Sequence, residues 1–162
     1  MVNNLDIATA LREGMRRMAK AVVVITCRHE GVRYAMAATA VTELSMDPPS
    51  LLICVNRSAS LHAPLLAEAD FCVNILHGDH LDLAAVCSGQ VKGEARFETG
   101  HWSGEDDQPP WLDDAQASFI CRQQHALDYG THRIVIGRVE AVRLYGGVDP
   151  LVYVDGRYAR VT

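Results

Sequence analysis

The pattern of apolar positions changes from helical to strand-like near residue 21. In residues 4–20, apolar side chains recur at helical spacing and Asn3 or Asn4 can cap the start, which predicts an amphipathic helix. From residue 21 onward, β-branched apolar runs separated by turns predict strands. The predicted strands are residues 21–27, a strand starting near Val32, and residues 51–55, 71–76, 93–98, 117–122, 133–144, 151–153 and 157–161.

Helices are few in the rest of the chain. Residues 60–69 and 79–88 predict two short helices, each with a capping side chain at its first residue. Residues 100–114 are acidic and predict a loop. With about eight strands and three helices that do not alternate regularly, the pattern favours a mainly β, mostly antiparallel barrel with peripheral helices over a doubly wound parallel sheet. Neither a repeat nor a linker divides residues 1–162, so a single domain is predicted.

Composition limits the partners and the location. With 162 residues, 49% of them apolar, and a net charge of −5, the chain is a globular protein with little electrostatic reason to bind nucleic acid. No signal peptide is visible and no apolar run approaches the roughly 18 residues of a membrane span, so a cytoplasmic, non-membrane protein is predicted. An odd number of cysteines without a C-x-x-C motif indicates reduced thiols, among which Cys87 looks the least buried. The five are Cys27, Cys54, Cys72, Cys87 and Cys121.

A polar cluster follows the predicted strand 51–55. Asn56, Arg57, Ser58 and Ser60 supply an amide, a cation and two hydroxyls where a strand ends and a helix begins, which suits a phosphate group. The alternative is that Ser58 or Ser60 only caps the helix. Lys92 is a second candidate phosphate cation, with an ordinary surface lysine as the alternative.

Small and hydroxyl side chains dominate residues 35–45. Such residues let a flat ring approach the backbone, whose amides can then reach polar atoms on the ring edge. The alternative is a tightly packed strand followed by a turn. Together with the polar cluster, this segment could hold both ends of a flavin nucleotide.

Histidines offer two further candidate sites. His132 lies in a polar turn directly before a long apolar strand, where it is either poised at the mouth of a site or only hydrogen-bonded in the turn. His77 and His80 have a metal-binding spacing, but no cysteine or carboxylate of comparable spacing completes a site, so no metal centre is predicted. The Rossmann, P-loop, zinc-protease and nucleophile-elbow motifs are all absent, so any nucleotide must be bound in another way.

The order and spacing of these segments resemble the short-chain flavin reductases, the small components of two-component flavin-dependent monooxygenases. The chain is similar in particular to the reductase component of 4-hydroxyphenylacetate 3-monooxygenase. The similarity runs from about residue 15 to residue 161, and each motif is weak alone. The segments that carry it are residues 35–42, 45–49, 52–58, 71–76, 130–137, 150–153 and 156–158.

The resemblance implies an FMN-binding split β-barrel that forms a homodimer. It implies that FMN or FAD is reduced by direct hydride transfer from NADH or NADPH, and that the reduced flavin passes to a separate oxygenase component. Carried over by position, the isoalloxazine and ribityl contacts would be Met36, Ala37, Ala38, Thr39, Ala40, Val41, Thr42 and Ser45, with Cys54 as a further cofactor contact. The phosphate region would be held by Asn56, Arg57, Ser58, Ser60 and Lys92. His132 would act near the flavin and nicotinamide as the catalytic residue, and Tyr158 would flank the nucleotides.

Three positions depart from the family pattern, one of them being Val86 or Cys87, which stands where relatives have a phenylalanine. Ala37 stands where relatives often have threonine, and Glu43 stands where a serine commonly follows the Val-Thr pair. An inward-pointing Glu43 would disfavour an anionic reduced flavin, so we expect it to face solvent or a cation. These changes leave two alternatives open: a flavin-binding carrier, sensor or oxidoreductase on another acceptor, or a binding module that has lost flavin.

Overall fold

The computed structural model describes residues 6–161, which form a mainly β protein with few helices. The helices are α1 (Ile7–Met15), α2 (His62–Leu66) and α3 (Leu81–Ala85), with a π-helical turn at Val86–Gln90 and a 3-10 helix at Gly93–Glu98. The strands are β1 (Lys20–Ala21), β2 (Val23–His29), β3 (Val32–Ala38), β4 (Val41–Met46), β5 (Pro49–Asn56), β6 (Phe71–Ile75), β7 (Trp102–Ser103), β8 (Trp111–Leu112), β9 (Ala117–Tyr129), β10 (His132–Leu144), β11 (Leu151–Val154) and β12 (Arg157–Arg160).

Seven strands form one sheet in the order β3-β2-β6-β9-β10-β5-β4, and every neighbouring pair is antiparallel. A smaller sheet has the order β1-β11-β12. The predicted mainly β, mostly antiparallel fold with few helices is therefore confirmed. No helix in the described part of the chain has the length and apolar character needed to cross a bilayer.

Strand β2 is buried on both faces, which explains its continuous apolar run. Val23 and Ile25 belong to one core cluster with Phe71 and other residues, whereas Val24 belongs to a second cluster with Leu83 and the helical segments. Because side chains alternate across a strand, a strand between two cores is apolar at most positions. The buried exception is Thr26, whose hydroxyl donates to the carbonyl oxygen of Pro110. Because β2 is packed on both faces, it is a rigid support for its neighbours β3 and β6.

The buried side-chain amide of Asn74 links β2, β8 and β9. Asn74 donates to the carbonyl oxygen of Val24 at 3.0 Å and accepts from the backbone N–H of Leu112 and the hydroxyl of Ser118, both at 2.9 Å. These bonds satisfy a fully buried polar group and fix β8 against the sheet.

Several predicted elements differ from the structure. The first helix is shorter, Ile7–Met15, and is capped by Asp6; Asn3 and Asn4 lie outside the described residues. Residues 93–98 form a 3-10 helix rather than a strand, since Arg96 donates to the carbonyl oxygens of Val91 and Ala35 and holds the chain in a compact turn.

The remaining differences concern caps and strand ends. The predicted caps at residues 60 and 79 are wrong: α2 and α3 begin later and have no side-chain cap. The predicted loop 100–114 contains the short β7–β8 hairpin, and β4 forms because its backbone pairs with β5.

Candidate functional site

The polar cluster and the histidine turn lie side by side. Antiparallel pairing of β10 with β5 puts His132 directly opposite Asn56. The backbone N–H of Arg57 donates to the carbonyl oxygen of Thr131 at 2.9 Å. Two segments about 75 positions apart in the chain thus meet at one end of the sheet by virtue of strand register.

Within the cluster, the Asn56 side chain organises the turn. Its Oδ1 accepts hydrogen bonds from both the backbone N–H and the hydroxyl of Ser58, each at 2.9 Å. The alternative that Ser58 or Ser60 caps the following helix is wrong, because α2 begins after Leu61 without a side-chain cap. Arg57 and Ser60 are exposed, and Arg57 has no ion-pair partner among residues 6–161, so its guanidinium is available to an anion.

The segment predicted to contact the ring lies beside the same strand. The backbone N–H of Cys54 donates to the carbonyl oxygen of Ala40 at 3.0 Å, and Val41 pairs with Ile53 in the β4–β5 ladder. Strand β5 therefore connects this segment to the polar cluster at its carboxyl end. Cys54, at the start of that connection, is partly exposed.

Strand alternation separates the side chains of this segment into two groups. Met36 packs against the core cluster of Val23 and Phe71, whereas Ala37 packs against the cluster of Val24 and Leu83. The contiguous predicted run therefore cannot present every side chain to one ligand. These residues were predicted as contacts from a linear motif. Which face of the sheet each side chain lies on depends on how the strands pair.

A cavity of about 330 Å³ opens beside Ala37, and we call it the ring cavity. Tyr153 and Tyr158, cross-strand partners in β11–β12, form one wall with ring centroids 5.4 Å apart. The cavity is lined by Val22, Ala37, Ala38, Thr39, Ser88, Tyr153 and Tyr158. Small side chains opposite aromatic rings are the surroundings that a flat ring needs, so these residues fit an isoalloxazine or nicotinamide group.

Val22, Ser88 and Tyr153 are the lining residues that the sequence did not single out as site residues. Tyr153 could have been found from its place opposite Tyr158 across a predicted hairpin turn. Ser88 carries no comparable signal, because the π-helical turn that presents it has no recognisable sequence pattern.

A larger apolar cavity, of about 660 Å³, is lined by β4 and shares Thr39 with the ring cavity. Its rim carries Thr42, Glu43 and Ser45 from the predicted segment, and its floor carries Val73 and Phe119. Glu43 is exposed there and has no ion-pair partner in the part of the chain that the structure describes. In the single chain this carboxylate is therefore exposed, and it also lines the apolar cavity.

Lys92 stands apart from Arg57. It is exposed and directly precedes the 3-10 helix, which is fastened to β3 by Arg96 and by the ion pair of Arg33 with Glu94. Lys92 thus lies on the β3 side of the sheet, and the polar cluster lies at the end of β5. A role in phosphate binding remains a prediction for both.

His77 and His80 contact carboxylates within the fold. His77 contacts Asp79 at 3.4 Å and Asp149 at 3.3 Å, and His80 contacts Asp114 at 3.2 Å. Across residues 6–161 there is no group of three or more side chains that could hold a metal ion. Both histidines join loops near the β11–β12 hairpin.

The interpretation of Cys87 as the least buried cysteine is wrong. Cys87 is 1% exposed, and burial raises the pKa of its thiol to about 11. Only Cys54 is partly exposed. Since the thiolate is the reactive form, we expect iodoacetamide at pH 8 to alkylate Cys54 at least about tenfold faster than Cys87 in the folded protein, as measured by peptide mass spectrometry. Equal rates in the folded protein would contradict this, and equal rates after denaturation are the control.

Comparison with known proteins identifies the family. The model of the flavin reductase like domain matches residues 15–162. The reductase component of the FADH(2)-dependent resorcinol hydroxylase of Rhizobium sp. (strain MTP-10005) is 39% identical over 162 aligned positions, which cover 97% of this chain and 90% of the relative. The FMN reductase (NADH) RutF of Methylorubrum populi is 41% identical over 153 positions, which cover 93% of this chain and 75% of the relative.

The fold agrees with this similarity. The solved structure of the NADH:FAD oxidoreductase SgcE6 of Streptomyces globisporus C-1027, in complex with NAD and FAD fragments, superposes with a TM-score of 0.89 at 25% identity. The alignment covers 99% of this chain and 98% of that protein. The family resemblance drawn from the sequence motifs is confirmed: the chain belongs to the flavin reductase like domain family.

Proposed function

We propose that this protein is an NADH-dependent flavin reductase that reduces FMN or FAD and supplies the reduced flavin to a separate oxygenase component. Both relatives described above support this: one is a hydroxylase reductase component and the other an FMN reductase that uses NADH. The domain predicted for residues 1–162 would carry out the whole reaction.

One observation in this chain carries the proposal. The β5–β10 register places His132 opposite Asn56, while the same β5 strand receives the ring-contact segment through the Cys54–Ala40 hydrogen bond. The proposed phosphate site and the proposed backbone surface for a ring would therefore share β5, with His132 on the neighbouring strand β10. A nucleotide ligand needs these three functions at distances that a single strand can span.

Each group of residues has a proposed role. Arg57, Ser58 and Asn56 would hold a phosphate, and the backbone of β3 and β4 with Tyr158 would hold the rings. When bound together, reduced nicotinamide donates a hydride and flavin accepts it. His132 would orient the partners and steady developing negative charge, and the apolar walls would exclude water. No side chain is required as a strong acid or base.

The test uses the purified protein. We expect rapid oxidation of NADH, followed at 340 nm, when FMN or FAD is added, and slower oxidation of NADPH. A yellow protein that does not turn over added flavin would instead support a carrier, sensor or oxidoreductase with another acceptor. A colourless protein that neither binds nor reduces FMN, FAD or riboflavin would support a binding module and contradict the proposal.

We also infer that the protein is a cytoplasmic homodimer. All five cysteines are free, as expected in a reducing compartment. The apolar cavity is open at Met46 and Val142, which are 80% and 49% exposed, and Leu44 and Leu144 nearby in the same strands are also exposed. Exposed apolar patches of this kind are usually covered by a partner. A second copy of this chain would cover the open cavity and the exposed apolar side chains of β4 and β10 at once.

Met46→Glu is expected to weaken the dimer at least about a hundredfold, because a carboxylate would be buried in an apolar contact. Sedimentation velocity at micromolar concentration should show a dimer for the wild type and a monomer for the variant. Leu66→Glu is the matched control, since Leu66 is 53% exposed on α2 and lines neither cavity. A monomeric wild type, or an unchanged Met46→Glu dimer, would contradict the inference.

A further inference from the structure

A third cavity, of about 290 Å³, lies between the end of α1 and the β11–β12 hairpin, and we call it the basic cavity. Three cationic side chains line it, Arg12, Arg16 and Lys20, together with a single carboxylate, Asp155. The chain as a whole has a net charge of −5, so this concentration of positive charge opposes the overall balance. An anionic ligand is what such a local field favours.

The charges in this cavity are only partly neutralised. Arg16 pairs with Asp155 at 3.3 Å and donates to its backbone carbonyl at 3.2 Å, which fastens α1 to the tip of the hairpin. Neither Arg12 nor Lys20 has an ion-pair partner within residues 6–161. Two positive charges therefore face the cavity without compensation.

Basic residues near the C-terminus of a helix also have an ordinary role, which is to offset the helix dipole. That role accounts for Arg12, which lies in the last turn of α1. It does not account for Lys20, which lies in β1 and faces the same cavity. A shared ligand explains why cations from two different elements converge.

The basic cavity adjoins the ring cavity. Thr39 and Tyr153 line both, and Lys20 is the direct cross-strand partner of Tyr153 in the β1–β11 pair. A ligand whose flat ring lies against Tyr153 and Tyr158 can therefore extend past Thr39 toward Arg12 and Lys20. The ring cavity alone, at about 330 Å³, is at the lower end of the volume range of typical cofactor sites, roughly 300–1,000 Å³, and the basic cavity extends it.

We propose that the basic cavity binds the pyrophosphate of a dinucleotide whose ring occupies the ring cavity. This rests on the proposed function only in that a flat nucleotide ring must be recognised. Arginine and lysine are the side chains that bind phosphate oxygens best, arginine in a bidentate manner. The chemistry is shared by NADH and FAD, whereas FMN and nicotinamide mononucleotide lack a pyrophosphate.

The test compares binding of four ligands by isothermal titration calorimetry: NAD⁺, nicotinamide mononucleotide, FAD and FMN. Arg12→Gln and Lys20→Gln are each expected to weaken binding of one dinucleotide about tenfold while changing its mononucleotide counterpart less than about twofold. Arg17→Gln is the matched control, because Arg17 is an exposed cation next to Arg16 that does not line the cavity. Both target residues are exposed or half-buried surface positions, and thermal melts will verify that the variants are folded.

The outcomes distinguish which dinucleotide the basic cavity binds. Selective loss of NAD⁺ binding assigns the cavity to the nicotinamide dinucleotide, and selective loss of FAD binding assigns it to the flavin dinucleotide. The proposal is overturned if both variants bind all four ligands like the wild type, if mononucleotides and dinucleotides weaken equally, or if the wild type binds no dinucleotide. Failure of the proposed function would appear differently, as absent flavin reduction by a wild-type protein whose dinucleotide binding still depends on Arg12 and Lys20.

Discussion

Replacing His132 with alanine is expected to lower kcat/KM for NADH about 30-fold while the Kd for FMN changes less than about threefold. We expect this separation because of where His132 lies. It is exposed at the start of β10, beside the polar cluster but outside the backbone surface proposed for the ring. Its imidazole is oriented by a 2.8 Å hydrogen bond between Nδ1 and the Thr131 hydroxyl, which leaves Nε2 to face a ligand. Stopped-flow measurement of flavin reduction and fluorescence titration of FMN give the two quantities separately.

The controls use the same hairpin. His125→Ala removes another exposed histidine, on β9, and should leave both quantities unchanged. His132→Gln retains a hydrogen-bonding side chain and should recover part of the rate. Steady-state kinetics of His132→Ala that match the wild type would remove this residue from the mechanism.

Gly137→Ala is expected to lower the free energy of unfolding by about 3 kcal/mol and Tm by about 10 °C. Gly137 is buried in β10, and a methyl group there would lie 2.8 Å from Cβ of Cys121 and would overlap the ring of Phe71. Phe71 is fully buried and Cys121 is 1% exposed, so neither can move without disturbing the core. Urea denaturation followed by circular dichroism measures the change.

Gly147→Ala is the matched control, because no atom lies within 4 Å of the added methyl group. Its stability should stay within about 0.5 kcal/mol of the wild type. If the two variants had the same urea midpoint, the close packing of β10 against Phe71 and Cys121 would be contradicted.

Local sequence predicted six of the seven strands of the central sheet and missed β4 and some of the short elements. The run from Val23 to Cys27 is apolar at every position but Thr26, and such a run has few alternatives to a buried strand. Residues 93–98 lack such a pattern, and their conformation depends on hydrogen bonds from Arg96 to Val91 and Ala35. Bonds between side chains and distant backbone atoms leave no periodic signal.

In the candidate site, too, some features follow from local sequence and others depend on tertiary packing. Asn56, Arg57 and Ser58 could be predicted as candidate anion-binding residues from the sequence because their side-chain chemistry is local. Cys87 was misjudged because exposure depends on what packs against the π-helical turn, and that is set by β2 and β3.

The sequence by itself determined the fold class, the family motifs and the chemical types of the site residues, because strand periodicity and side-chain chemistry are local properties of the chain. Only the tertiary structure decided that His132 faces Asn56, that Tyr153 and Tyr158 line a cavity with Ala37, and that Arg12 and Lys20 converge on one cavity. These contacts depend on the register of strands and on helix placement across long sequence separations. Register is selected by the packing of the whole sheet, which no short segment encodes.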